Sequence, residues 1–274
     1  MILDLRKGFG EFLEYKLTKF PDNSIKYKQS ELRTIFTQVK ITLRSSDDII
    51  SLLMVSDVLK RNQTIKPNLL ISYMMYQQDD RLFDTSESFG LKVICNLFNT
   101  LYFNKINIFH PHSDKVELID SCEIISNIGL ISDSISKIGV NNDFVIPYNY
   151  WVIPDSGAFK TQFKQIETLK YGNFITCMKS RNHITGDIET IVNCEDLQGR
   201  DCFIVDDICL GGRTFINIAK KLKEKNCGKL YLIISHGIFN YGIEGLLEYF
   251  EHIYTTDSIC TIKSNNKLSI YNII

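Results

Sequence analysis

Residues 203–222 read FIVDDICLGGRTFINIAKKL. An apolar run of strand length passes straight into two adjacent carboxylates, Asp206 and Asp207, and then into a Gly-rich turn. Thr214 opens a stretch that sets Phe215, Ile218, Ala219 and Leu222 on one helical face. Each part has a chemical use. Two neighbouring carboxylates accept hydrogen bonds from vicinal sugar hydroxyls, directly or through a cation. The backbone of Gly211 and Gly212 can approach a phosphate closely, and the start of a helix offers free N–H groups and a favourable dipole. An ordinary strand-turn-helix connection with capping acids satisfies the same spacing. No Gly-Lys-Ser/Thr follows, so this is not a Walker loop.

Working outward, the same rhythm recurs on both sides. The segment up to about Leu43 reads as short strands and turns, with FPDNS as a turn signal. Ser45 and Ser46 then precede an apolar-periodic helix over DDIISLLMVSDVL. LLISYMM has strand length and is followed by a polar loop and a helix carrying Ile94, Leu97, Phe98 and Leu101. INIF is the next strand and ends at the polar cluster HPHSD (110–114). Helical stretches around KVELI and GLISDSISKI lead to YNYWVIP, a strand ending at Asp155. Beyond it come the DSGAFK loop, a helix to about Lys170, the strand NFITCM, a polar loop, the strand CFIVDD and the strand KLYLIIS. Alternating strands and helices predict mostly parallel sheets flanked by helices, an α/β fold in two domains. The expected boundaries are 1–145 and 146–274, with a linker between Gly139 and Tyr150. Trp151 reads as core or domain-interface packing.

The balance of 31 Lys+Arg against 32 Asp+Glu gives no whole-molecule field that favours nucleic acid or an anionic membrane. Any anion site is local. With 44% hydrophobic and 23% charged residues the composition is that of a globular protein. No stretch approaches the ~20 apolar residues that span a bilayer, and MILDLRKGFGEF lacks a signal-peptide core, which together predict a soluble cytoplasmic protein. The eight cysteines are scattered singly with no C-x-x-C pair and read as reduced, mostly buried thiols. His110, His112 and Asp114 raise zinc chemistry, but no downstream partner His completes that pattern.

The 203–222 segment resembles the phosphoribosyl diphosphate motif shared by type I phosphoribosyltransferases and ribose-phosphate diphosphokinases (phosphoribosyl pyrophosphate synthetases). The rest of the chain resembles the diphosphokinases, including their phage-type members. MMYQQDDR is similar to the segment P-Y-A-R-Q-D-R, HPHSD to a strand-end D-x-H cluster, and PDSGAFK to a D-x-G-x-x-K loop. MKSRNHITGDI is similar to the Lys-x-Arg catalytic loop, and SHGIF and IYTTDSI match later landmarks in order. The resemblance implies two tandem type I phosphoribosyltransferase-like domains. It also implies Mg2+-dependent transfer of the diphosphate of ATP to the anomeric hydroxyl of ribose 5-phosphate, with release of AMP.

Carried over residue by residue, the resemblance assigns Lys179 and Arg181 to the migrating phosphates and Asp206 and Asp207 to the ribose hydroxyls. Gly211, Gly212, Arg213 and Thr214 fall to the 5-phosphate, Asp80, Arg81 and His112 to ATP, and His112 and Asp155 to Mg2+. Arg44 to Asp48 corresponds loosely to the adenine loop. The resemblance further implies assembly into a homo-oligomer. Four positions depart from the pattern: Gln78 stands for an ATP-contacting Arg, Asp79 for Gln, His110 for the Asp of the D-x-H cluster, and Leu210 for an acid heading the phosphate loop. Leu210 puts an apolar wall beside the sugar phosphate, which suits a larger 5-substituent and raises ADP-ribose as acceptor. A phosphoribosyltransferase and a catalytically degenerate regulatory homologue are the competing readings.

Overall fold

The computed structural model describes residues 1–141, 149–155, 157, 167–169, 173–181 and 188–273, with the backbone alone at 140–141, 179–181 and 188–190. It divides into two compact units, Met1–Ser126 and Asn127–Ile274.

The first unit is built on a parallel sheet of five strands in the order β1-β5-β6-β7-β8: β1 (Ile2–Asp4), β5 (Gln38–Ile41), β6 (Asn68–Ile71), β7 (Ile106–Phe109) and β8 (Cys122–Ile125). β2 (Gly10–Glu11), β3 (Tyr15–Lys19) and β4 (Ile25–Gln29) form a separate antiparallel sheet. Helix α1 (Ser46–Asn62) starts where expected. The Asp48 carboxylate accepts the Arg44 and Ser45 N–H groups at 2.9 and 2.8 Å, so Arg44–Asp48 makes a capping box. Leu52, Val55 and Leu59 of α1 are buried in one core with Val39, Ile41 and Leu69 of the sheet. Helix α2 (Gly90–Phe98) joins the same core through Leu91, Ile94 and Phe98. In place of the helical stretch expected around KVELI there is a short 3-10 turn, Asp114–Leu118, and strand β8, which the sequence pattern does not announce, follows it.

The second unit opens with α3 (Ile128–Asn141) and carries seven strands in the order β11-β10-β9-β12-β13-β14-β15. These are β9 (Tyr150–Ile153), β10 (Asn173–Arg181), β11 (Ile188–Val192), β12 (Cys202–Cys209), β13 (Leu230–Gly237), β14 (His252–Thr256) and β15 (Leu268–Tyr271). All neighbours are parallel except β10 and β11, which are antiparallel. Helix α4 (Arg213–Glu224) follows β12, and the short α5 (Glu244–Leu247) follows β13.

The expected domain boundary at 145/146 shifts to 126/127. The apolar face of α3, made by Leu130, Ile131, Ile135 and Ile138, is buried with Trp151, Phe203, Tyr231 and Tyr254, which ties the helix to the second sheet. Trp151 is core, as expected. In-register pairing sets Phe203 beside Trp151 on one neighbour and Tyr231 on the other, with ring centroids 5.1 and 5.2 Å apart. Such pairs contribute about 0.5–1.5 kcal/mol beyond area burial, and aliphatic swaps of similar volume cost under about 1.5 kcal/mol. Phe203→Leu is therefore expected to destabilise the second unit by about 1–2 kcal/mol, read from urea unfolding.

Among the described residues, no helix is long and apolar enough to cross a membrane. The eight cysteines are free thiols, five of them buried. Burial pushes the Cys95 thiol up to about 11, well into the unreactive range.

Candidate active site

Strand β12 runs further than the apolar pattern indicates. It carries Asp206 and Asp207 within the strand and ends at Cys209, so both acids sit at the carboxyl end of a parallel sheet. The turn after it is held from behind. The Cys209 carbonyl accepts the Ile238 and Phe239 N–H groups at 3.0 and 3.1 Å, and the Leu210 carbonyl accepts the Asn240 N–H at 2.7 Å. Gly212 then adopts φ 77° and becomes the N-cap of α4. Gly211 lies under another ring: a Cβ there would come within 2.8 Å of the Tyr241 side chain, which would have to shift. Phe215, Ile218, Ala219 and Leu222 are all buried, as the helical spacing predicts, which aims the first turn of α4 and its free N–H groups back at the loop. Arg213 is exposed and Thr214 half-buried at that first turn.

The carboxylates are crowded. Asp206 Oδ1 accepts the Asp207 N–H at 3.0 Å, and Asp207 Oδ1 accepts the Ile208 N–H at 2.8 Å. The Asp206 carboxyl is held well above its ordinary range, first by burial, then by the charge and hydrogen bond of Asp207, and lastly by the charge of Asp155 at the end of the adjacent β9. A hydroxyl-rich ligand or a cation that draws on these oxygens relieves that repulsion. Asp155 also accepts the Gly157 N–H at 3.0 Å, and most of the DSGAFK loop and of the helix expected to follow it lies outside the described residues. Among the described residues, no three His, Cys, Asp or Glu side chains form a metal cage. The hard oxygens of Asp155, Asp206 and Asp207 suit Mg2+ held by one or two carboxylates together with substrate oxygens.

Lys179 and Arg181 occupy a strand rather than the expected loop. β10 continues through them, with Lys179 paired to Thr190 and Arg181 to Ile188 of β11. The ladder bonds of this hairpin keep a polar segment extended.

In the first unit, the loops after β6 and β7 meet. The Gln77 Oε1 accepts the His112 N–H at 2.9 Å, and the Lys115 ammonium donates to the Asp80 carbonyl. The Asp80 side chain is buried, which alone would raise its pKa. Hydrogen bonds from Arg81 and Ser113 and the charges of Arg81 and Lys115 outweigh this and hold it below the ordinary value. Arg81 and His112 are exposed. Ser113 lies within HPHSD and Lys115 directly follows it, but the sequence pattern gives neither a role. Nothing local marks Tyr241.

No family model matches the chain. Its sequence is 23% identical over 263 residues to the ribose-phosphate pyrophosphokinase of Thermococcus kodakarensis, covering 94% of this chain and 90% of that protein. The identity to the enzyme of the same name from Pyrococcus furiosus is 26% over 268 residues, covering 93% and 88%. The chain is similar to ribose-phosphate pyrophosphokinases along almost its whole length. The crystal structure of phosphoribosylpyrophosphate synthetase from Mycobacterium smegmatis superposes with a TM-score of 0.80 at 17% identity, over 94% of this chain and 85% of that one, which establishes the fold.

Against that likeness, two of the four departures have structural explanations. Asp79 caps α2, its Oδ2 accepting the Gly90 N–H at 2.9 Å, where a Gly90 Cβ would lie 2.2 Å away. His110 is buried at φ 36°, a left-handed conformation that His and Asp tolerate better than most residues, and its N–H donates to the Ile125 carbonyl at 2.8 Å. Gln78 is exposed, and Leu210 leaves 43% of its surface exposed beside the Gly211–Gly212 turn.

Proposed function

We propose that this chain is a ribose-phosphate diphosphokinase that transfers the diphosphate of ATP to the anomeric hydroxyl of ribose 5-phosphate, giving phosphoribosyl pyrophosphate and AMP. The observation that carries the reading is the acidic pair at the end of β12, joined through Gly211 and Gly212 to the start of α4, in a chain similar to ribose-phosphate pyrophosphokinases throughout. In this reading Asp206 and Asp207 accept hydrogen bonds from the ribose hydroxyls. Gly211, Gly212, Arg213 and Thr214 hold the 5-phosphate with backbone N–H groups and the guanidinium. Lys179 and Arg181 draw in the migrating phosphates and neutralise the charge that grows as the bond to AMP breaks. Asp80, Arg81 and His112 bind the nucleotide. His112 and Asp155 would hold Mg2+, which would supply screening of the phosphate charge.

One observation favours a second acceptor. Leu210, 43% exposed, and Tyr241, 86% exposed, form an apolar rim beside the phosphate loop. A bare phosphate gains nothing from such a rim, whereas ADP-ribose has further groups to lay on it. The test is incubation with ATP, Mg2+ and either ribose 5-phosphate or ADP-ribose, with AMP followed by chromatography. AMP release with one acceptor names the substrate, and Leu210→Asp is expected to shift preference toward ribose 5-phosphate. AMP with neither acceptor would remove the diphosphokinase reading in favour of a degenerate, regulatory homologue. Phosphoribosyl transfer to a base without ATP would mark a phosphoribosyltransferase.

A further inference from the structure

We propose that Gln77 contacts the nucleotide, donating a hydrogen bond from Nε2 to a phosphate oxygen while its Oε1 holds the His112 loop. The inference rests on the diphosphokinase reading for the presence of a nucleotide. The side chain is 1% exposed, and its Nε2 has no acceptor among the described residues. A flipped amide does not solve this. Oε1 accepts the His112 N–H at 2.9 Å, and turning the group would set an NH2 against that N–H. The orientation is therefore fixed by the backbone it grips.

None of the acceptors on the next residues of the chain takes a hydrogen bond from Nε2. The Asp79 carboxylate serves the Gly90 N–H and its carbonyl the Leu91 N–H. The Asp80 carboxylate serves Arg81 at 3.1 Å, and the Asp80 carbonyl serves Lys115. Buried donors left unmade are costly and uncommon, and they concentrate where a ligand or water supplies the partner. This one lies at the carboxyl end of β6 and β7, where parallel sheets receive ligands. The partly exposed Arg81 and Lys115 side chains beside Asp80 add positive charge there. Phosphate oxygens only accept near neutral pH, so they match both the donor and the charge.

The experiment is titration of wild type and Gln77→Met with MgATP, alongside side-chain amide NMR of the wild type, the variant serving to assign the Gln77 NH2 signals. Expected are a Kd for MgATP raised about tenfold or more in the variant and a shift of the wild-type Gln77 NH2 signals on saturation. If the variant weakens binding but the wild-type signals stay put, Gln77 only holds the loop and the contact is refuted. Unchanged affinity refutes it as well. Wild type that binds no MgATP overturns the diphosphokinase reading along with it, and so separates the two failures. Should the variant not fold, the wild-type NH2 signals, recognised by their pairing within a Gln side chain and by Gln77→Asn, decide alone.

Discussion

Lys179→Ala is expected to lower kcat for AMP release about 10^3-fold, with the unfolding midpoint close to that of wild type. The size follows from when the interaction matters. Charge moves onto the phosphates as diphosphate passes between oxygens, so a cation fixed beside them stabilises the transition state more than the bound substrates. What the fold supplies at that position is an extended main chain. The backbone at Lys179 is paired to Thr190 in an antiparallel ladder and so lacks the freedom of a loop. The same pairing explains why stability is expected to hold, since the ladder bonds belong to the main chain. Steady-state kinetics with the preferred acceptor give the result. A loss confined to the KM for ATP would mean that Lys179 binds the ground state and would remove it from the chemistry.

The second large effect has opposite signs for activity and stability. Asp206→Asn is expected to cost about 10- to 100-fold in kcat/KM, the magnitude of a lost charged hydrogen bond to a sugar hydroxyl. It is also expected to make the free protein more stable at neutral pH. Burial, then Asp207, then Asp155 raise the folded-state pKa of Asp206 above its unfolded value. Between those two values the native state holds a proton that the unfolded state has shed. The contribution of Asp206 to stability therefore falls as pH rises through that window, and the penalty is complete above the folded pKa. Asparagine removes that penalty. The gain should appear at pH 7 and vanish below the unfolded value of about 3.9, where the wild-type carboxyl is neutral in both states. Urea unfolding of both proteins across this range checks the sign. A variant less stable than wild type at pH 7 would show that the Asp207 N–H contact outweighs the repulsion.

Local pattern accounts well for the strand, the acidic pair, the glycines and the buried face of α4, because each depends on residues within one turn or one strand of each other. It does less well where partners are distant. The end of β10 is polar enough to read as loop, and only pairing with β11 makes it strand. The helical character of α3 is legible, but the sheet that covers its apolar face is chosen by Trp151, Phe203 and Tyr231, so the unit boundary moves. Asp79 looks like a lost ligand when aligned to a motif and serves as the cap of a helix that begins eleven positions later. The grip of Gln77 on His112 spans 35 positions and leaves no local trace.

The ring ladder of the second unit makes the chain its own reporter. Trp151 is the one tryptophan in the sequence, and its ring meets Phe203 only when β9 and β12, far apart along the chain, lie side by side. Parallel neighbours must wait for crossover segments to close before they pair, which makes such sheets slow to assemble. Intrinsic fluorescence therefore follows a late and long-range event, the joining of β9, which leads into Asp155, with β12, which carries Asp206. Its kinetics in stopped-flow refolding time the moment at which those two carboxyls are brought together.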